Sequence, residues 1–201
     1  DRLDGKRKNT VGFALTVLQR RLASSPEAIL RSLERRTQRL QRRRTDMLNG
    51  TYREDAAAAD ASVYDEPDDY TAEEMEQVEE ELVDAATAAQ TVAELDAELA
   101  ELAQLTGLAR RVRDSGNDRK WTELSSILQD RELRVDRDGR PRKLIIFTEH
   151  RDTLHYLERR VASLLGRSDA VVSIYGAVRR PERRRITEEL LYIRHCHVPP
   201  G

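Results

Sequence analysis

The acidic and basic residues of this chain lie in three separate blocks, and this division limits how its segments pack. Residues 1–53 hold 14 Lys/Arg against 5 Asp/Glu, whereas residues 54–107 hold 18 Asp/Glu and no Lys or Arg. From residue 108 onward the balance is basic again, with 21 Lys/Arg against 14 Asp/Glu. Blocks of opposite charge attract each other or attract outside partners. The basic blocks are therefore expected to meet either the acidic block or nucleic acid.

The first basic block, residues 1–47, is predicted to form two helices. Apolar residues recur at helical spacing over 10–23 and again over 26–47. Ser25 and Pro26 suit the N-cap and the first position of the second helix, so the break falls there. The arginines of this helix suit a phosphate backbone, a solvated face or an acidic neighbour within the chain. The three that we predict to contact nucleic acid are Arg36, Arg42 and Arg43.

A helical protrusion is predicted for residues 71–135. Thr71 and Glu74 have the spacing of a capping box, so the longest helix is expected to begin at Thr71. Its apolar residues alternate by three and four, as in a coiled-coil seam. Gly107 is expected to interrupt this helix, and the Ser-Gly-Asn sequence at 115–117 to stop it. A shorter helix with the only tryptophan is expected to follow.

An acidic linker, residues 48–70, is predicted to join these two helical regions. It begins with a turn at Asn49 and Gly50. The linker is long enough to reverse the chain direction, and the helices on either side carry opposite charge and matching apolar stripes. We therefore predict a long antiparallel hairpin in which the 31–44 helix faces the 73–101 helix.

The last part of the chain, residues 141–201, has the alternating pattern of an α/β fold. Short apolar runs are each followed by a polar corner and an amphipathic helix. In parallel sheets of this kind, ligands bind at the carboxyl ends of the strands. The corners are rich in hydroxyl groups and arginine, which suits phosphate. The predicted order is strand 144–147, corner 148–152, helix, strand 171–175, Gly176 and helix 181–191.

Two segments of this part resemble the start of the second motor lobe of superfamily-two helicases. They are IIFTEHRDTLHYL, residues 145–157, and VVSIYGAVRRPERRRITEEL, residues 171–190. The likeness is greatest to bacterial Swi/Snf-type ATPases and helicase-related proteins. A third segment, LTVLQRRLASSPEAILRSLERR at 15–36, resembles what those proteins carry between their two motor lobes.

This resemblance implies an α plus partial α/β fold. A helical region would precede the first strand-helix-strand-helix units of a RecA-like C-terminal helicase lobe. It also implies that Thr148, His150 and Arg151 touch a nucleic-acid backbone, which is reasonable because a hydroxyl, an imidazole and a helix N-terminus all donate to phosphate. Alternatives remain: Thr148 or Asp152 caps a helix, and the glycine and arginines that follow form a turn and a solvated cluster. The further predicted contacts are Gly176, Arg179 and Arg180.

The catalytic motifs of that helicase family are missing from this sequence. No G-x-x-x-x-G-K-[ST] phosphate loop occurs, and the chain is expected to end before the glycine-rich motif and the arginine fingers of the second lobe. We therefore expect no ATPase activity from this chain alone, and no cofactor. ATP and Mg²⁺ are expected only for a complete family member, and a companion chain is one source of the missing motifs.

The amino-acid composition narrows the kind of protein and the cellular location that are expected. A charged fraction of 36% favours solvated helices, and a single cysteine excludes an internal disulfide. No apolar run is long enough to span a membrane and no signal peptide is evident, so a cytoplasmic location is expected. The bias toward arginine and alanine indicates a GC-rich, bacterial genome. His195, Cys196 and His197 lack the second ligand pair of a zinc site, so no metal is predicted.

The sequence thus predicts a fragment of a Swi/Snf-like, DNA-dependent ATPase or helicase that contributes backbone binding without sequence preference. Two alternatives stand beside it. One is a helical protein–protein interaction module that uses the acidic helix, and the other is a truncated gene product with no retained activity.

Overall fold

The computed structural model describes residues 2–52, 72–87, 89–130, 142–176, 178 and 181–186. Most of these residues are helical, including 181–186. A 3-10 turn covers Ser168–Ala170. Among the described residues, no helix combines the length and the apolar character that crossing a bilayer requires. The α-helices with both ends defined are α1 (Arg2–Ser24), α2 (Pro26–Leu48), α3 (Ala72–Ala85), α4 (Val92–Asp114), α5 (Arg119–Gln129) and α6 (Arg151–Leu165).

The predicted break between the first two helices is confirmed. Ser25 has extended backbone angles, and its Oγ accepts a hydrogen bond from the Ala28 amide at 3.1 Å. Pro26 takes the first helical position, where its missing N–H costs nothing. The predicted turn at Asn49 and Gly50 is also confirmed, since Asn49 caps the C-terminal end of α2 and Gly50 has φ +68°.

The single long helix predicted from Thr71 is wrong, because the chain leaves helical geometry after Ala85 and re-enters it at Val92. Thr91 caps the new helix by accepting from the Glu94 amide, and the carboxylate of Glu94 accepts from the amides of Gln90 and Thr91. In a continuous helix these amides would donate to backbone carbonyls one turn earlier. The capping box gives them side-chain acceptors instead, so it favours the start of a new helix. Thr71 itself lies outside the described residues.

The predicted interruption at Gly107 is also wrong. Gly107 lies within α4, which continues to Asp114 because its neighbours are good helix formers and one glycine costs only about 1 kcal/mol. The predicted stop at 115–117 is confirmed, with Gly116 at φ +71°. The shorter helix that was expected next is α5, capped by Asp118.

The described helices pack in pairs. Helix α2 lies along α4, and α1 lies along α3. The α2–α4 contact buries an apolar cluster, and a smaller cluster of Ala14, Val17 and Val83 joins α1 to α3. Burial of such side chains supplies the main favourable free energy of the helical part. The larger cluster contains Leu33, Leu40, Ala89, Leu95 and Leu102.

The basic face of α2 pairs with acidic side chains of both α3 and α4. The attraction between the charge blocks is therefore satisfied within the chain. It involves two acidic helices, whereas one long helix was predicted. The pairs are Arg35 with Glu80, Arg36 with Asp84 and Glu98, Arg39 with Glu80 and Asp84, and Arg44 with Asp96.

The predicted α/β fold class is wrong, because the described residues contain no β-strand. Neither apolar run, 144–147 or 171–175, forms a strand or any other regular element. A strand is stable only when a neighbour takes its backbone hydrogen bonds, and no described segment does so. The side chains of 144–147 are accordingly exposed, with Phe147 90% accessible. The strand-helix-strand-helix units of a RecA-like lobe are therefore absent from the described part of 141–201.

The helix predicted between those runs is confirmed as α6, which ends at Gly166 with φ +65°. Its N-cap residue is His150, whereas Thr148 or Asp152 was predicted as the cap. Thr148 lies two positions earlier, outside the reach of a cap. The carboxylate of Asp152 lies 2.7 Å from a guanidinium nitrogen of Arg35, so it joins α6 to α2 instead of capping.

Candidate functional site

A groove of about 430 Å³ lies where the C-terminal end of α1 meets the N-terminal ends of α2, α5 and α6. We call it the junction groove. It combines hydroxyl groups, cations, carboxylates and aromatic rings from segments that are far apart in the sequence. Its polar and aromatic lining residues are Arg20, Ser24, Ser25, Asp118, Lys120, Trp121, Phe147, Thr148, Glu149, Thr153 and Tyr156.

Hydroxyl contacts hold the helices around this groove. The Oγ1 of Thr153 in α6 lies 2.7 Å from the Oγ of Ser24 and 2.8 Å from the Oγ of Ser25. The ammonium group of Lys120 at the start of α5 donates to the carbonyl of Ala23. Both α5 and α6 are therefore tied to the α1–α2 junction, which fixes the walls of the groove.

Three helix N-termini border the junction groove. Ser25 caps α2, and Asp118 caps α5 by accepting from the Trp121 amide at 3.1 Å. At α6 the N-cap residue His150 makes no side-chain cap hydrogen bond. The first amides of a helix lack intrahelical acceptors and carry a partial positive charge, so they favour anions. Of the three helix N-termini at the groove, only that of α6 thus lacks a side-chain cap from its N-cap residue.

The two carboxylates of the groove already have partners within the chain. Glu149 forms an ion pair with Arg20. Asp118 accepts from the Trp121 amide at one oxygen and from the Tyr156 hydroxyl, at 2.7 Å, at the other. The hydroxyl of Thr148, in contrast, has no hydrogen-bond partner among the described residues. Thr148 therefore has a free hydroxyl donor, and the exposed Lys120 ammonium, which uses one N–H for the Ala23 carbonyl, has further N–H groups to offer.

His150, a predicted nucleic-acid contact, is buried. It is 4% exposed, and its Nε2 has no hydrogen-bond partner among the described residues and lies 3.8 Å from Glu149 Oε2. Burial lowers the pKa of this imidazole, with the Arg20 and Arg21 charges acting in the same direction. A neutral, enclosed imidazole packs the start of α6 and is not presented to a ligand.

The other predicted residues of the last part either lie outside the lining of the junction groove or are undescribed. Arg151 is exposed at the first turn of α6. Gly176 is exposed, and its carbonyl accepts from Arg183 at 2.8 Å. Neither residue lines the junction groove. Arg179, Arg180 and the segment His195, Cys196, His197 lie outside the described residues.

The predicted arginines of α2 differ in their accessibility. Arg36 is 8% exposed and donates to the Val83 carbonyl, to Thr87 and to Glu98. Arg43 donates to the Ala89 carbonyl at 3.0 Å and lies over the Tyr52 ring. Arg42 alone of the three is exposed, with no acidic partner in the part of the chain that the structure describes.

Sequence reasoning located Thr148 but missed the residues that surround it. Lys120 and Trp121 lie almost thirty positions earlier, and Arg20 lies far earlier still. No motif links these positions, because only the packing of α5 and α6 against the α1–α2 junction brings them together. The single tryptophan was the one local signal, since tryptophan is a frequent ligand contact.

Comparisons with models of known families, with curated proteins and with solved structures gave no match. Within the described ranges, no three His, Cys, Asp or Glu side chains converge in the way that metal ligands do. The chemistry of the junction groove is therefore the structural basis for inferring a function, and the helicase family stays a prediction from the sequence.

Proposed function

We propose that this chain binds the sugar–phosphate backbone of nucleic acid, without sequence preference, as part of a Swi/Snf-like, DNA-dependent ATPase or helicase. The observation that carries this proposal is the position of Thr148. Its unpartnered hydroxyl lies in the junction groove with Lys120, beside the start of α6. Backbone contact at Thr148 is also what the resemblance to helicase-type proteins implies.

The available groups suit a phosphodiester. A hydroxyl donor, an ammonium charge and first-turn amides are the kinds of groups that bind phosphate oxygens in protein–nucleic acid complexes. Lys120 neutralises one phosphate and releases its counterion, so affinity falls as salt rises. None of these donors distinguishes one base from another, and the proposed binding is accordingly independent of sequence.

We do not assign the main nucleic-acid contact to helix α2, although this helix holds most arginines of the first basic block, residues 1–53. Arg35, Arg36 and Arg39 pair with carboxylates of α3 and α4. Displacing those carboxylates with phosphate would exchange one partner for another at little net gain. Arg42 remains accessible and offers at most a single phosphate contact.

Hydrolysis of ATP is not assigned to this chain. Its sequence has no phosphate loop with the Lys-Ser/Thr pair that holds a triphosphate and Mg²⁺. In the proposal, this chain supplies nucleic-acid contact, and residues of a complete family member or a companion chain supply the chemistry of ATP hydrolysis.

A salt titration with fluorescent duplex DNA tests the proposal. We expect log-linear loss of affinity with salt, and Lys120→Ala should weaken binding and reduce the slope by about 1. Thr148→Val removes only the hydroxyl and should weaken binding roughly three- to ten-fold. Arg42→Ala is the matched control, because it deletes an exposed cation outside the groove. Equal losses from Arg42→Ala and Lys120→Ala would place the binding surface elsewhere.

A second candidate is the helical interaction module, which one surface favours. Leu105, Leu108 and Val112 lie on one face of α4 and are 50%, 51% and 44% exposed. An exposed apolar stripe of this spacing is typical of helix–helix contacts. The same titration separates the two candidates, because an interaction module predicts no salt-dependent affinity for DNA.

A further inference from the structure

Three aromatic side chains line the junction groove, and two of them, Phe147 and Trp121, have no role in the proposed backbone binding. Phe147 is 90% exposed, although a phenylalanine side chain gains free energy when it leaves water. Trp121, the only tryptophan of the chain, lines the same groove. Aromatic rings that line one groove together with cations and hydroxyls are the composition of sites that bind single-stranded nucleic acid.

We propose that the junction groove holds an unpaired nucleotide, with its base stacked on the aromatic rings and its phosphate at Thr148 and Lys120. This inference rests on the proposed function and specifies its substrate: single-stranded DNA, or a duplex with an unpaired end. The volume of the groove, about 430 Å³, lies within the range of sites that enclose small ligands.

The adjacency of Phe147 and Thr148 supports this assignment. The two residues are consecutive in a segment without regular secondary structure, and both line the groove. In a nucleotide, base and phosphate are attached to the same sugar, so a ring and a phosphate donor must lie close together. One residue pair therefore provides both parts of the contact.

The Trp121 ring is held in place before any ligand arrives. The Arg160 guanidinium lies 4.6 Å from the ring centroid and donates to the Tyr156 hydroxyl. That hydroxyl donates to Asp118, which also accepts from the Trp121 amide. A ring fixed by a closed set of contacts loses little conformational entropy on binding.

Base pairing explains the expected preference for single strands. Within a duplex, each base is covered on both faces by its neighbours, and unstacking it costs free energy. An unpaired base presents a free face to an aromatic side chain. Stacking of one base corresponds to roughly ten-fold in affinity.

Trp121 fluorescence provides a direct test, since the chain has no other tryptophan. The full chain is titrated with a thymidine oligonucleotide, with an oligonucleotide of equal length and abasic positions, and with blunt duplex DNA. We expect quenching by the thymidine oligonucleotide and roughly ten-fold tighter binding than for the abasic one or the duplex. Phe147→Leu should remove that difference. Ile145→Ala, which changes an exposed side chain of the same segment outside the groove, should keep it.

The outcomes separate this inference from the function on which it rests. Equal affinity for the abasic and thymidine oligonucleotides, without quenching, overturns base stacking and leaves backbone binding intact. Duplex binding as tight as single-strand binding also overturns it. No binding to any of the three probes at low salt overturns both proposals.

Discussion

The guanidinium of Arg21 in α1 and the carboxylate of Glu79 in α3 form a buried ion pair, with Nη2 and Oε2 3.3 Å apart. The two residues are 1% and 4% exposed. Arg21 also donates to Ser32 of α2, and Glu79 also accepts from Arg20. This cluster therefore links α1 to α3 through an ion pair and α1 to α2 through a hydrogen bond, and its charges act on His150 at the start of α6.

Loss of one partner of this pair should destabilise the fold strongly. Glu79→Gln leaves the Arg21 charge buried with poorer compensation, which typically costs about 3–5 kcal/mol. Urea denaturation measures the change in the free energy of unfolding. The control is Glu123→Gln, whose partner Arg119 is 92% exposed in its side chain, with an expected effect of about 0.5 kcal/mol or less. Similar effects of the two variants would show that the Arg21 pair contributes no more than a surface pair.

Reversal of charge on α2 should lower thermal stability in a position-dependent way. Arg35 and Arg39 both pair with Glu80, so Arg35→Glu together with Arg39→Glu places like charges against α3. Arg42 has no acidic partner among the described residues, so Arg42→Glu should change the melting temperature little. Thermal melts of the two variants test this difference. Equal melting temperatures would contradict the internal pairing of the basic and acidic blocks.

Helix boundaries were predictable from the sequence where the capping chemistry is local. Ser25 and Pro26 define the start of α2 within two residues, and the structure agrees. The restart at Thr91 was missed although Glu94 completes its capping box, because the apolar spacing continues across the break through Ala89 and Leu95. The apolar periodicity favours a continuous helix there, whereas the capping residues favour a restart, and the structure follows the capping residues.

Two features could not be predicted from local sequence: the failure of the apolar runs to form strands, and the set of residues that lines the groove. The apolar run 144–147 has strand character, but a strand needs a partner, and the described residues provide none. Thr148 was found through resemblance, whereas Lys120 and Trp121 reach the groove only because α5 packs at the end of α1. Such tertiary proximity leaves no spacing pattern in a single sequence.

Two glycines should respond in opposite directions to replacement by alanine. Gly107 lies inside α4, and an added Cβ would meet only the Arg111 Nη1 at 3.6 Å, an ordinary contact. Gly107→Ala should therefore raise stability by about 0.5–1 kcal/mol, through higher helix propensity. Gly116 has φ +71°, which alanine adopts poorly, so Gly116→Ala should lower stability by about 1 kcal/mol. Chemical denaturation of both variants provides the measurement, and a loss of stability in Gly107→Ala would contradict the continuous α4.

Asp84 should make the stability of the chain depend on pH. Burial raises the pKa of this carboxyl to about 6, against the opposing charges of Arg39 and Arg36. Its Oδ1 is buried without a hydrogen-bond partner among the described residues, which agrees with a carboxylate that has lost hydration. The pKa in the unfolded chain is near 3.8, so the folded state holds this proton more tightly. The resulting stabilisation is fully present below pH 3.8 and is lost as pH rises through about 6.

His150 titrates with the opposite sign, because burial lowers its pKa below 6.5 and folding then opposes protonation. Its contribution to stability is present above pH 6.5 and declines as pH falls, so the wild-type profile combines both groups. Comparing melting temperatures of the wild type and Asp84→Asn between pH 7.5 and pH 5 isolates Asp84. We expect the wild type to gain relative to Asp84→Asn as pH falls, since only the wild type takes up that proton. A difference that stays constant over this range would show that Asp84 is ionised equally well in the folded and unfolded chain.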